Sequence, residues 1–178
     1  MGWIRNIFGG KKEMAALADG TRAPDFTLQN TEGKQFSLKG ALARGPVVLA
    51  FFKISCPVCQ YALPYLERIY KAYGNKKVAI FGISQDKQRD TLGFMQEYGI
   101  TFPVLLDDND SYPVSNAYGL TNVPTIFWIA EDGEIEISSV GWSRKDVEEI
   151  HRRAAEQIGA GVVPLFKPGE DVRDFRAG

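Results

Sequence analysis

Apolar residues fall along this chain in three rhythms. Val47-Val48-Leu49-Ala50-Phe51-Phe52 and Val78 to Ile83 are runs without a charged residue, and such runs predict strands covered on both faces. Thr125 to Ala130 is a third strand, and Val104-Leu105-Leu106 a short one. Helical spacing appears in Val58, Ala62, Tyr65, Leu66, Ile69 and Tyr73, which predict a helix from Pro57 to about Tyr73. Pro64 lies inside it and has no N–H for the carbonyl of Gln60, so a kink is expected there. Asp86 to Tyr98 is a further helix stopped by Gly99, and Asp110 to Tyr118 a short one stopped by Gly119. The last helix runs from Ser143, its N-cap, to Ile158. It buries Val147, Ile150, Ala154 and Ile158 and turns Glu148, Glu149, Arg152, Arg153 and Glu156 outward. Alternation marks Phe26-Thr27-Leu28 and Gln35-Phe36-Ser37-Leu38, which flank the turn residues Asn30 to Lys34 and predict a hairpin. Glu134 to Val140 alternates in the same way after the turn Glu131-Asp132-Gly133.

This order of strands and helices describes an α/β domain with a mixed sheet. The 178 residues suffice for one domain with a substantial core. Residues 1–19 read as an N-terminal extension, 20–158 as the domain, and 159–178, rich in Gly, Pro and charge, as an extended tail. The apolar run Val162 to Phe166 within that tail either docks on the body or joins two copies; docking, which leaves a monomer, is expected. The net charge is −1 and no basic run is interleaved with aromatics, which argues against nucleic-acid binding. No run of eighteen apolar residues is present to cross a membrane. The N-terminus shows no secretory h-region, and Asn6 breaks the myristoylation pattern, so a cytoplasmic location is expected. Trp3, Ile4, Ile7 and Phe8 would share one helical face. They read as a membrane or partner contact, or as a loose end or one docked on its own domain.

The chemistry sits at Cys56-Pro57-Val58-Cys59, which holds the only two cysteines of the chain. The motif joins a predicted buried strand to a predicted helix. Free N–H groups and the macrodipole at a helix start stabilise a thiolate at Cys56. Cys59 is one turn on, within reach of a disulfide. Such a pair exchanges electrons with other thiols. Two cysteines and the single, distant His151 make a poor zinc site. Asp107-Asp108-Asn109-Asp110-Ser111 lacks the Gly and Glu of a calcium loop and reads as a solvated turn. His151 reads as surface or half-buried, and Tyr61, Tyr65, Phe51 and Phe52 as core or groove wall. No metal or bound cofactor is called for.

The chain resembles the thioredoxin-like fold, and within it the TlpA/ResA-like thiol-disulfide oxidoreductases of the redoxin (AhpC/TSA) superfamily. The likeness spans about Gly20 to Ile158 and rests on several segments. These are Ala23-Pro24-Asp25-Phe26-Thr27-Leu28 with Gly33 to Leu38, the Cys56–Cys59 motif with Pro64 five residues after it, Phe102 to Asp107, and Val123-Pro124-Thr125. The resemblance implies a mixed central sheet flanked by helices, with an N-terminal hairpin. It implies Cys56 as nucleophile and Cys59 as resolving thiol. It implies a cis-proline at Pro124 that packs on the thiol pair and disfavours metal capture. Val123 would then offer its backbone to an incoming peptide, with Ser55, Pro57 and Val58 completing the substrate-facing set around the thiols. The implied partners are protein or small-molecule thiols and disulfides, and a partner reductase or oxidant.

The chain also departs from its likeness. Ser55 stands where thioredoxins often carry Trp, and Ala50 where they place a buried Asp. The resemblance points to Asp86 as the proton shuttle for Cys59; the residue alone is equally suited to cap or open the helix that follows. Lys53 either adds positive charge near Cys56 or ends a strand in solvent. A peroxiredoxin-like peroxidase is the alternative enzyme, but its Pro-x-x-x-Thr-x-x-Cys frame is broken by Leu49 and Lys53. A non-catalytic adaptor is the other alternative.

Overall fold

The structure is a computed structural model that describes residues 16–74 and 77–178. The apolar N-terminal segment with Trp3, Ile4, Ile7 and Phe8 lies outside the described residues. The chain opens with a hairpin, β1 (Thr27–Gln29) and β2 (Gln35–Ser37), and a short helix α1 (Leu38–Leu42). Then follow β3 (Val47–Phe52), α2 (Pro57–Tyr73), β4 (Ala79–Ser84), α3 (Gln88–Tyr98), β5 (Val104–Leu106) and α4 (Pro113–Ala117). The second half has β6 (Thr125–Ile129), β7 (Ile135–Val140), β8 (Trp142–Ser143), α5 (Arg144–Ile158) and β9 (Phe175–Arg176). Five strands form the central sheet in the order β5-β4-β3-β6-β7. β3, β4 and β5 are parallel, while β6 runs antiparallel to β3 and β7 antiparallel to β6.

The uninterrupted apolar run of β3 has a direct cause. Successive strand side chains point to opposite faces. Val48, Ala50 and Phe52 enter a core shared with α2, α3 and α5. Val47, Leu49 and Phe51 enter a second core with Phe26, Leu38 and Tyr118, under the hairpin, α1 and α4. All six β3 residues are fully buried, so neither face tolerates a polar side chain. Gly82 belongs in the neighbouring strand because a Cβ there would press on Phe52, Phe102 and Val104 at 3.1 Å.

α2 runs through Pro64 as one helix and carries a buried carboxylate, Glu67. Glu67 accepts the backbone N–H groups of Thr101 (2.9 Å) and Phe102 (3.3 Å), and the Thr101 hydroxyl as well. It therefore pins the active-site helix to the segment leading into β5.

Two helix starts differ from the sequence expectation. α3 begins at Gln88 because the Asp86 side chain is engaged elsewhere, and Lys87 is the extended residue before the helix. α4 begins at Pro113, after Asp108 folds a turn by accepting from Asp110 and Ser111 N–H. The acidic stretch is not wholly solvated. Asp107 is buried and caps α4, accepting from Val114 N–H, Ser115 N–H and the Ser115 hydroxyl.

The tail after α5 folds back over α2 and α5. The Arg68 guanidinium grips Glu170 through two hydrogen bonds of 2.8 Å. The Tyr73 hydroxyl donates to Gly161 O and accepts from Val163 N–H. His151 is buried, neither surface nor half-buried as its sequence context suggests, because the tail covers it; its Nε2–H donates to Val163 O at 2.6 Å. Further on, Trp142 Nε1–H donates to Arg173 O at 2.6 Å, and β9 pairs antiparallel with β8.

Glu67→Ala leaves two backbone donors without their acceptor and is expected to cost about 3 kcal/mol of stability. Urea unfolding checks this, with Glu67→Gln losing less because it keeps an acceptor. Arg68, and then the Lys167 N–H, hold the Glu170 carboxyl down to about 2 from its ordinary 4.5. A group lowered in the folded state stabilises above its unfolded value and ceases to as it protonates. Tail docking is thus expected to weaken between pH 4.5 and 2. Limited proteolysis with an acid-active protease reads this as growing cleavage within 160–178, and the dependence should be absent in Glu170→Gln.

Candidate active site

β3 ends at Phe52, and Lys53 to Ser55 turn the chain into α2. The Cys56 N–H closes that turn on Lys53 O at 3.2 Å. Cys56 is the N-cap of α2 with an extended backbone, and Pro57 takes the first helical position, where its missing N–H costs nothing. The Cys56 Sγ does what a capping oxygen does elsewhere: it accepts the Cys59 N–H at 3.3 Å. It also donates to the carbonyl of Val123 at 3.3 Å. A thiolate at Cys56 would keep the Cys59 N–H and the positive end of the helix dipole.

The two thiols differ in surroundings. Cys56 is half-buried, whereas Cys59 is fully buried against the core beneath α2. Burial, above all, pushes the Cys59 thiol far above the ordinary range; the contact with Cys56 and the charge of Asp86 act in the same direction, and only the Lys53 backbone opposes them. Cys59 therefore holds its proton at neutral pH and becomes a nucleophile only when something takes that proton.

Asp86 lies just past β4. Its Oδ2 accepts the Ile54 N–H at 2.8 Å, so its carboxylate supports the turn that carries Cys56 and does not cap α3. Val123 and Pro124 lie on the loop before β6, and the bond between them is cis. Ser55 and Pro57 are exposed beside Cys56. Val58 instead turns into the core, which removes it from the substrate-facing set. The Lys53 ammonium sits over the Tyr112 ring, 5.4 Å from its centroid. Among the described residues, no cluster of three His, Cys, Asp or Glu side chains is placed to hold a metal ion.

Three neighbours of the site, Gln60, Asn122 and Arg176, escape sequence reading. The Gln60 side chain donates to Ile54 O at 2.9 Å and braces the same turn. Tyr61, expected as core or groove wall, packs edge-on against Trp142 with centroids 5.0 Å apart. The Arg176 guanidinium lies 4.9 Å from the Tyr61 ring centroid, and Asn122 Nδ2 donates to Gly178 O at 3.1 Å. These last contacts join residues far apart in the chain, and no local pattern announces them.

A sequence profile of the AhpC/TSA family matches residues 20–138. The chain belongs to the AhpC/TSA family. It is 32% identical to the thiol-disulfide oxidoreductase ResA of Geobacillus thermodenitrificans, over 78% of this chain and 79% of that protein. It is 29% identical to the ResA of Bacillus subtilis, over 92% of this chain and 83% of that one. Its fold is that of the thioredoxin domain of a thiol-disulfide oxidoreductase from Bacteroides vulgatus, with a TM-score of 0.68 and 24% identity over 78% of this chain and 98% of that one. Within the AhpC/TSA family it is a thioredoxin-fold thiol-disulfide oxidoreductase of the TlpA/ResA type.

The unequal exposure of the two thiols has a direct readout. Iodoacetamide at pH 7.5 is expected to label Cys56 and spare Cys59 in the native protein, with both labelled after denaturation. Peptide mass mapping checks it; equal native labelling would contradict the burial of Cys59.

Proposed function

We propose that Cys56 attacks and Cys59 resolves, in exchange with protein or small-molecule disulfides. The observation that carries this reading is the half-exposed Cys56 Sγ at the start of α2, with the buried Cys59 thiol one turn behind it. Cys56 thiolate attacks one sulfur of a substrate disulfide. The substrate S–S bond breaks, a mixed disulfide forms on Cys56, and the leaving thiolate takes up a proton. Cys59 then gives up its proton and attacks the Cys56 sulfur. The mixed disulfide breaks, the second substrate thiol leaves, and a Cys56–Cys59 disulfide remains. The substrate has gained two electrons and the pair has lost two; a partner dithiol returns them by the reverse sequence.

Asp86 is the group we assign to receive the Cys59 proton. Support comes from its place on the turn carrying Cys56 and from its electrostatic contact with Cys59. No Asp stands at position 50 to do this; Ala50 is buried there. Val123 presents backbone beside Cys56, which supports pairing with an extended peptide. We take the protein to act as a monomer, since its tail docks on its own body. We also take it to act in the cytoplasm as a reductant. The peroxidase reading has less behind it: Leu49 is fully buried on the hairpin side of the sheet, and Lys53 is engaged by Tyr112.

Dithiothreitol-driven reduction of insulin, and single-turnover reduction of 5,5′-dithiobis(2-nitrobenzoate) by pre-reduced protein freed of dithiothreitol, test the exchange. Cys56→Ser is expected to abolish both, and Cys59→Ser to accumulate a mixed disulfide on Cys56. Activity that survives Cys56→Ser would overturn the reading. Asp86→Asn should slow resolution on the order of tenfold to a hundredfold at pH 7, with the loss shrinking as pH rises. A reduction potential near or below about −250 mV fits cytoplasmic reductant work, and one above about −180 mV overturns that part.

A further inference from the structure

The end of the described chain lies on the active-site loop. β9 pairs with β8, and the strand carries on past Gly141 toward Asn122 and Val123. A Cβ at Gly141 would meet the Arg176 carbonyl at 2.5 Å and the Gly178 nitrogen at 3.0 Å, so the two segments are in backbone contact. Gly141 also has φ +77, and only glycine combines that conformation with so close an approach. Gly178 is closer still to the thiols. A Cβ on it would lie 2.4 Å from the Val123 carbonyl oxygen, the atom to which the Cys56 thiol donates. Asn122 Nδ2 donates to Gly178 O and holds it there. On the other side, Arg176 stacks on Tyr61, and the Arg173 N–H donates to the Tyr61 hydroxyl at 3.1 Å. Residues 173–178 therefore bridge from the α2 wall to the loop before β6.

We propose that residues 173–178 form a strap over the edge where an extended polypeptide would pair with Val123, so that the enzyme favours small disulfides over polypeptide ones until the strap lifts. This rests on the exchange reading above and adds a specificity to it. A small disulfide needs only the Cys56 sulfur, which stays half-exposed with the strap in place. A polypeptide also needs backbone beside Val123, where Gly178 already lies. The strap is built to detach: Asp174, Phe175, Ala177 and Gly178 are all exposed, and its β-pairing is two residues long. Its anchors further back, at Glu170 and Arg173, are independent of the last residues.

The arithmetic is that of competition. A strap docked about 90% of the time lowers the apparent affinity for a competing peptide about tenfold. The test compares the full chain with one ending at Arg173, which keeps the Arg173 contacts with Trp142 and the Tyr61 hydroxyl. The variant Arg176→Ser, which loses only the stacking on Tyr61, serves as a second probe. Matching circular dichroism and thermal melts certify the fold. Removal of residues 174–178 is expected to raise kcat/KM for insulin about tenfold, acting mainly on KM. Reduction of 5,5′-dithiobis(2-nitrobenzoate) should stay within about twofold. Arg176→Ser should move insulin reduction in the same direction by a smaller factor. An unchanged or lower insulin rate, with the small disulfide still reduced, overturns the strap alone. Inactivity of both chains toward both disulfides overturns the exchange reading and the strap with it.

Discussion

The register of β3 with its two neighbours is the constraint from which the site follows. Phe51 pairs with Thr125 across the antiparallel β3–β6 ladder, and Phe52 with Ser84 across the parallel β3–β4 ladder. The first pairing brings the Val123–Pro124 loop to the end of β3, where Cys56 begins α2. The second brings Asp86 to Ile54. A slip of one residue would turn every β3 side chain to the opposite face, and both cores would lose their filling. The packing of Val47 through Phe52 therefore aligns the thiol, the carbonyl it faces and the carboxylate behind it.

Much of this was legible in the residues. The unbroken run of β3, the helical spacing after Cys56 and the hairpin around Asn30 gave the architecture, because each is a local pattern with a single period. Cys56, Cys59 and Pro124 could be singled out because motif and resemblance agree on them. Asp86 was ambiguous in sequence, since an Asp before a helix is ordinary. Only the spatial approach of Ile54 shows that the carboxylate serves the thiol turn. Val58 sits in the motif yet faces inward, because the first turn of a half-buried helix must bury one side. His151 and the acidic turn depart from their sequence expectation for one reason. Burial of His151 comes from the tail, and burial of Asp107 from the start of α4, and both are long-range or cap contacts that polarity alone conceals.

The active-site helix is held from several sides besides its own thiols. Glu67 fastens it to the segment before β5, Arg68 to the tail, and Tyr73 to the chain leaving α5. These contacts anchor the middle and last turns of α2, while Asp86 and Gln60 brace the turn at its start. A nucleophile that must meet first a foreign sulfur and then Cys59 gains from such a seat, because small displacements of reacting atoms are costly.

The depth of Cys59 has a consequence for chemical wear. Oxidants reach accessible sulfur first, and here that is Cys56, not the enclosed and protonated Cys59. A sulfenic acid formed on Cys56 would stand next to a thiol that had escaped the same insult. Condensation of the two expels water and leaves the disulfide that normal turnover also produces. Damage at the exposed sulfur is thus returned to a reducible state before it climbs to the irreversible acids, and the buried partner acts as a reserve.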